Sequence, residues 1–201
     1  SPPPPSPPPT APPPPVHPPS LPPAAPRIEY LFDIQRHTDY LEPPGGCIQL
    51  QEILLWDAAG NPLTAHPSTI RNPGGSNEGL TGSESPRMAF DRDVSDCVNP
   101  GDCACSGSLK WIDCNYHIGG NAGRSTLYFS LDATDVIAEY AFVTAGSAAR
   151  RRPSGWELKL DGGFGFHVLD EYGIGFGPGG PEETSQPLVQ GLANCQAYPR
   201  R

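Results

Sequence analysis

The sequence predicts an all-β sandwich carried on an N-terminal polyproline II arm, and three observations lead there. Sixteen of the 28 prolines fall in the first 26 positions. After Arg27 the chain changes to short runs rich in β-branched and aromatic residues, separated by Gly, Pro, Asn and Asp clusters, as strands and their turns are written. No stretch carries the apolar repeat of a convincing amphipathic helix. Two segments follow: residues 1–26 as arm and residues 27–201 as one domain, long enough to bury a single core without a partner.

The arm, Ser1 to Pro26, reads SPPPPSPPPTAPPPPVHPPSLPPAAP. Each pyrrolidine ring fixes φ near −65° and drives the preceding residue into the same extended basin. At about 3.1 Å per residue the rod would span about 80 Å. It has few N–H donors and almost no large apolar side chains, so it builds no core and is expected to be solvated or coated. A flexible linker, or a ligand for a proline-recognition domain, are the plainer readings of the same prolines.

In chain order, the first strand is expected at Ile28–Ile34 and the second over Cys47–Asp57, closed by the turn residues Ala58 to Pro62. Further strands are expected at Arg87–Phe90, Leu109–Ile112, Ser125–Leu131, Val136–Thr144, Trp156–Leu160 and Phe164–Leu169. Ala65 to Pro86, without periodicity and rich in Gly, Ser and Pro, reads as a long surface loop. Alternation is clearest in Ser125–Leu131, where Leu127, Phe129 and Leu131 form the inner face and Thr126, Tyr128 and Ser130 can face water. The run Val136 to Val143 is less clean and reads as a strand buried on both sides.

Net charge is −9, and the cations are scattered except at Arg150-Arg151-Arg152 and Arg200-Arg201, so no basic face for nucleic acid is present. No apolar run approaches the length of a membrane span. The N-terminus lacks the layout of a signal peptide, so the sequence reads as a mature product from which any leader has been removed. Six cysteines, Cys47, Cys97, Cys103, Cys105, Cys114 and Cys195, form an even set whose spacing suits neither zinc knuckle nor zinc finger. Disulfides, and with them an oxidising compartment, are the expectation. Many pairings are open; the one adopted joins Cys47 to Cys195 and leaves the other four to staple their own loop.

The Ser-Pro blocks of the arm resemble the repeats of hydroxyproline-rich, extensin-like glycoproteins of plant and green algal walls. That resemblance implies hydroxylation and short glycans at Pro2, Pro3, Pro4, Pro5, Pro7, Pro8, Pro9, Pro12, Pro13, Pro14, Pro15, Pro18 and Pro19, with Ser6 and Thr10 as further acceptors. The order of motifs behind it resembles the discoidin, or galactose-binding-like, jelly-roll domains of algal and protist surface proteins. The matching stretches are Cys47 to Ile53 with Trp56-Asp57 and Gly60-Asn61, Asp93 through Asp113, Ser125 to Leu131, Glu139 to Ala145, and Arg151 to Trp156. Relative to that pattern Arg152 stands in an Asp position, Phe166 replaces a Trp, and Cys97 to Cys114 is an insertion.

Each candidate site also has a plainer role. Asp91, Asp93 and Asp96 sit at spacings that can wrap a structural calcium, as discoidin-like domains do near this loop, although an acidic solvated loop is the commoner reading. Arg150, Arg151 and Arg152 could grip sulfated or uronic glycans, or an acidic patch on a neighbour. Trp56, Trp111 and Trp156 could stack on sugars, Trp156 being the candidate beside the arginines; core packing is the commoner role for all three. Five isolated histidines, no G-x-S-x-G elbow and no well-placed carboxylate pair leave catalysis unsupported. The function expected is a secreted structural glycoprotein, a building block of a cell wall or surface fibre. Its partners would be neighbouring subunits and covalent glycans, and no cofactor is expected beyond the candidate calcium. The alternative is a lectin-like module on a rigid spacer.

Overall fold

The computed structural model describes residues 1–4, 25–37, 46–78, 82–92, 104–105, 110–116, 123–145, 151, 153–172 and 196–199. Eleven strands and two single turns of 310 helix occur among them, and no α-helix, so the all-β expectation holds. No helix among the described residues is long and apolar enough to cross a membrane.

One sheet has four antiparallel strands in the order β10 (Phe166–Tyr172), β9 (Pro153–Asp161), β1 (Arg27–His37) and β7 (Ser125–Asp132). The second runs β11 (Gln196–Pro199), β8 (Glu139–Ala145), β3 (Glu52–Trp56) and β4 (Pro62–Leu63), with β5 (Ala104–Cys105) parallel to the end of β8. A separate ladder pairs β2 (Ile48–Leu50) with β6 (Trp111–Asp113). The expected strand over Cys47–Asp57 is thus broken at Gln51, whose N–H goes to the Val143 carbonyl at 2.9 Å, so the chain leaves β6 and joins β8.

The two large sheets pack face to face through aromatic rings. Phe32 of β1 meets Tyr140 and Phe142 of β8 edge-on, both at 5.2 Å between centroids, and Phe142 lies 4.7 Å from Trp156 of β9. Such offset and edge contacts favour the ring quadrupoles, and each buried large apolar side chain contributes about 1.5–3 kcal/mol before entropy is counted. Leu127, Phe129 and Leu131 are buried as the alternation requires, while Thr126 and Tyr128 are half-buried. Ser130 is buried instead of facing water, because residues 66–71 lie along the free edge of β7. His66 N–H donates to the Ser130 carbonyl, Ser130 N–H donates to Thr69 Oγ1, and Arg71 bridges to Tyr128. An otherwise open strand edge is closed in this way.

Two expectations are corrected and one holds. Arg87–Phe90 is no strand: Pro86–Ala89 forms a 310 turn, since proline starts a helical turn at no hydrogen-bonding cost, and Met88 and Phe90 donate three residues back. The described part of Ala65 to Pro86 is the loop expected, with a single 310 turn at Pro67–Thr69 and the edge contacts above. Cys47 pairs with Cys114, not with Cys195. The reason is register: Ile48 faces Asp113 across β2 and β6, so the next residue out on each strand brings the two cysteines together. Cys97, Cys103 and Cys195 and the side chain of Cys105 lie outside the described residues.

The β9–β10 hairpin turns on glycines. Gly163 and Gly165 have φ of 81° and 125°, which side-chain-bearing residues avoid; the Gly162 N–H meets the Gly165 carbonyl, and Asp161 Oδ1 accepts from the Gly163 N–H.

Candidate functional site

Polar groups gather at four places. On the outer face of the first sheet, β1 points Glu29, Leu31, Asp33 and Gln35 outward, opposite to the core residues Tyr30, Phe32 and Ile34. Asp33 is 1% exposed and bridged by two cations. Arg124 donates to it through Nε at 3.0 Å and through its terminal amine, and Lys159 Nζ at 2.6 Å. Lys159 also meets Glu157 at 2.6 Å, and Gln35 donates to that carboxylate at 3.0 Å. Burial alone would raise the pKa of Asp33; the hydrogen bonds from Arg124 and Lys159 outweigh it and hold the carboxyl below its ordinary value. Beside this cluster Arg71 forks onto Glu29 at 2.6 and 2.9 Å, with its guanidinium 4.3 Å from the centre of the Tyr128 ring. Tyr128 in turn meets Phe166 of β10 edge-on, across the two strands between. These charges satisfy one another, so the face is a closed network.

Inside the core, Trp156 Nε1 donates to the Tyr140 hydroxyl at 3.0 Å, and that hydroxyl donates to Asp170 Oδ2 at 2.7 Å. A register shift between Val168 and Asp170 is what turns Asp170 inward. Burial first, and then the Asp170 carboxylate accepting its proton, push the Tyr140 hydroxyl far above an ordinary phenol.

At the other sheet, Glu52 is wholly buried and its Oε2 accepts from the Arg92 N–H at 2.8 Å. Arg92 has φ 61°, the one side-chain-bearing residue with positive φ among those described, and this aims its amide at Glu52. The Glu52 carboxyl also faces Asp91. Burial, and then the Asp91 charge, raise Glu52 to about 9, so it is protonated at neutral pH.

The fourth place is a polar cleft of about 350 Å³ lined by Ser76, Asn77, Glu78, Ser83, Glu84 and Ser85. Its walls are tied to β6: Asn77 Nδ2 donates to the Ile112 carbonyl, while the N–H groups of Lys110 and Ile112 donate to the carbonyls of Ser83 and Glu84. Asp113, fully buried, accepts from the N–H groups of Ser76 and Asn115 and from the Ser125 hydroxyl.

Of the residues singled out from sequence, Trp156 and Trp111 are fully buried. That removes Trp156 from the glycan-contact set: its ring faces Phe142 and Tyr172, and the packing role prevails. Trp56 is half-buried on β3. Arg151 is half-buried, while Arg150 and Arg152 lie outside the described residues, as do Asp93 and Asp96. Asp91 is exposed at the mouth of the Glu52 contact. No group of three or more His, Cys, Asp or Glu able to hold a metal ion occurs among the described residues. Of the glycosylation candidates only Pro2, Pro3 and Pro4 are described, all exposed; Pro5 to Pro19, with Ser6 and Thr10, are outside. Sequence reasoning missed Asp33, Glu52 and Asp170. Asp33 carried one signal, a carboxylate at an outward position amid apolar neighbours. No family profile, curated protein or solved structure matches this chain.

Proposed function

We propose that this chain is a secreted structural glycoprotein, a building block of a cell wall or surface fibre, in which the proline-rich arm is a stiff polyproline II spacer and the sandwich a compact node. The sandwich is read as a galactose-binding-like jelly roll on the order of its motifs. One observation carries the reading: the arm runs directly into β1, the strand hydrogen-bonded along both edges, by β9 and by β7. The Pro26 carbonyl accepts from the Ala133 N–H at 3.0 Å, so the junction is pinned as the chain enters the sheet. Beyond it Tyr30, Phe32 and Ile34 anchor the strand in the core. A pull on the arm is therefore borne by the centre of a sheet. The disulfide between Cys47 and Cys114 fits a secreted protein.

Intact-mass analysis of the native protein tests decoration. Hydroxylated and glycosylated arm prolines give a mass well above the bare 21.4 kDa, and the bare mass would remove the glycoprotein reading.

The alternative, a glycan-binding module on a spacer, is favoured by the polar cleft, whose hydroxyls, amide and two carboxylates suit a polyol. Binding on a glycan array that is lost in Glu84→Ala would put this reading first.

A further inference from the structure

Among the described residues three large apolar side chains are exposed: Phe164 fully, Val136 and Val168 by half. Register places Phe164 and Val136 on either side of one end of β1. Arg27 at the start of β1 faces Asp132 at the end of β7, so Val136 follows just beyond that end. Tyr30 faces Leu160 of β9, so the β9–β10 hairpin with Phe164 at its tip flanks the same end of β1 on the other side. Val168 stands opposite Lys159, which faces Leu31, so it lies further along the sheet, away from that end. Phe164 and Val136 thus straddle the place where the proline arm joins the sheet.

We infer that this patch is the docking site for the proline arm of a second copy of the chain, an inference that rests on the structural reading above. The chemistry matches. An arm of proline rings with few N–H donors and no charged side chain before Arg27 other than His17 offers ring faces and little else, and it is recognised by exposed aromatic and apolar groups. The chain's own arm is a poor occupant: Ala25 and Pro26 are themselves exposed where the arm leaves. A polyproline II rod cannot double back within a few residues, whereas at about 80 Å it reaches well beyond its own domain. Crossing the sheet end from Phe164 to Val136 would engage about four or five arm residues at about 3.1 Å each.

The test is sedimentation velocity of the full chain over a concentration series, with Phe164→Ser and Val136→Ser variants, and with a synthetic peptide of residues 1–26 as competitor. Both substitutions are at exposed positions and should leave folding intact, which circular dichroism checks. The expected result is a rise of about tenfold or more in the concentration of half-assembly for Phe164→Ser, a smaller rise for Val136→Ser, and dissociation of the wild type by excess peptide. If the peptide dissolves the assembly while Phe164→Ser assembles like the wild type, arm-driven assembly stands and this docking site is wrong. A wild type that stays monomeric and ignores the peptide overturns both.

Discussion

Asp33 and Glu52 are both carboxyl groups buried to the last few per cent of their surface, one on each large sheet, and their environments drive them in opposite directions. Asp33 is met by Arg124 and Lys159 and stays ionised; Glu52 is met by a second carboxyl and keeps its proton to about 9. Burial raises both carboxyls and so does not by itself explain why their states differ. What differs is the partner: a carboxylate taken from water is tolerated where cations replace its hydration, and otherwise it neutralises.

The largest consequence is the pH dependence of stability. Glu52 has a folded pKa of about 9 against an ordinary value of 4.5, so between these the folded state holds a proton that the unfolded chain has lost. Its contribution is full below about 4.5 and falls by about 1.4 kcal/mol per pH unit until about 9. Glu52→Gln keeps the shape and accepts the Arg92 N–H without a titrating proton. The variant should be more stable than wild type at pH 7, by up to about 3 kcal/mol, with the gap widening toward pH 9 and closing toward pH 5. Urea melts at these three pH values measure it. Parallel curves for the two proteins would mean that Glu52 holds no proton in the folded state at neutral pH.

Asp33 should behave as the mirror image. Its folded pKa is lowered, so its contribution is present above the unfolded value of about 3.9 and is lost as pH falls through the folded one. Asp33→Asn leaves Lys159 with Glu157 and leaves Arg124 half-exposed, so the loss at pH 7 is expected at about 2–3 kcal/mol, below that of a fully isolated buried pair. Toward pH 2 the variant and wild type should converge in melts. A deficit constant with pH would assign the cost to packing.

These two carboxylates also show what a sequence can carry. The strand of Asp33 was legible, since Ile28 to Ile34 alternates and one face must be apolar; its two cations come from residues 91 and 126 positions away, and nothing local announces them. Glu52 was illegible for another reason. In a run buried on both faces the parity rule has no solvent side to assign, and the cover comes from the Asp91-Arg92 turn. The Cys47–Cys114 bond depends on the pairing of two three-residue strands, a choice made by the whole core. Ser125 to Leu131 was read correctly on its inner face, because Leu127, Phe129 and Leu131 carry their instruction in spacing alone. Trp156 was placed among candidate contacts through its arginine neighbours, yet its burial follows from the same alternation that buries Leu158.

Arg71 supplies a third, exposed case, and the smallest effect. It forks onto Glu29 and lies over Tyr128, but its side chain is 42% exposed, so water competes for the charge and the pair gains little from the protein interior. Arg71→Ala should cost about 1 kcal/mol in 50 mM salt, part of it from the lost ring contact, and Arg71→Lys should recover less than half because an ammonium cannot fork. In 1 M salt the Arg71→Ala deficit should shrink, since screening reaches an exposed pair, while that of Asp33→Asn should hardly move. The two deficits measured in both salts test whether water access separates these ion pairs. If both fell alike in salt, Asp33 would have to be reached by solvent ions, and its buried geometry could not be what sets it apart from Glu52.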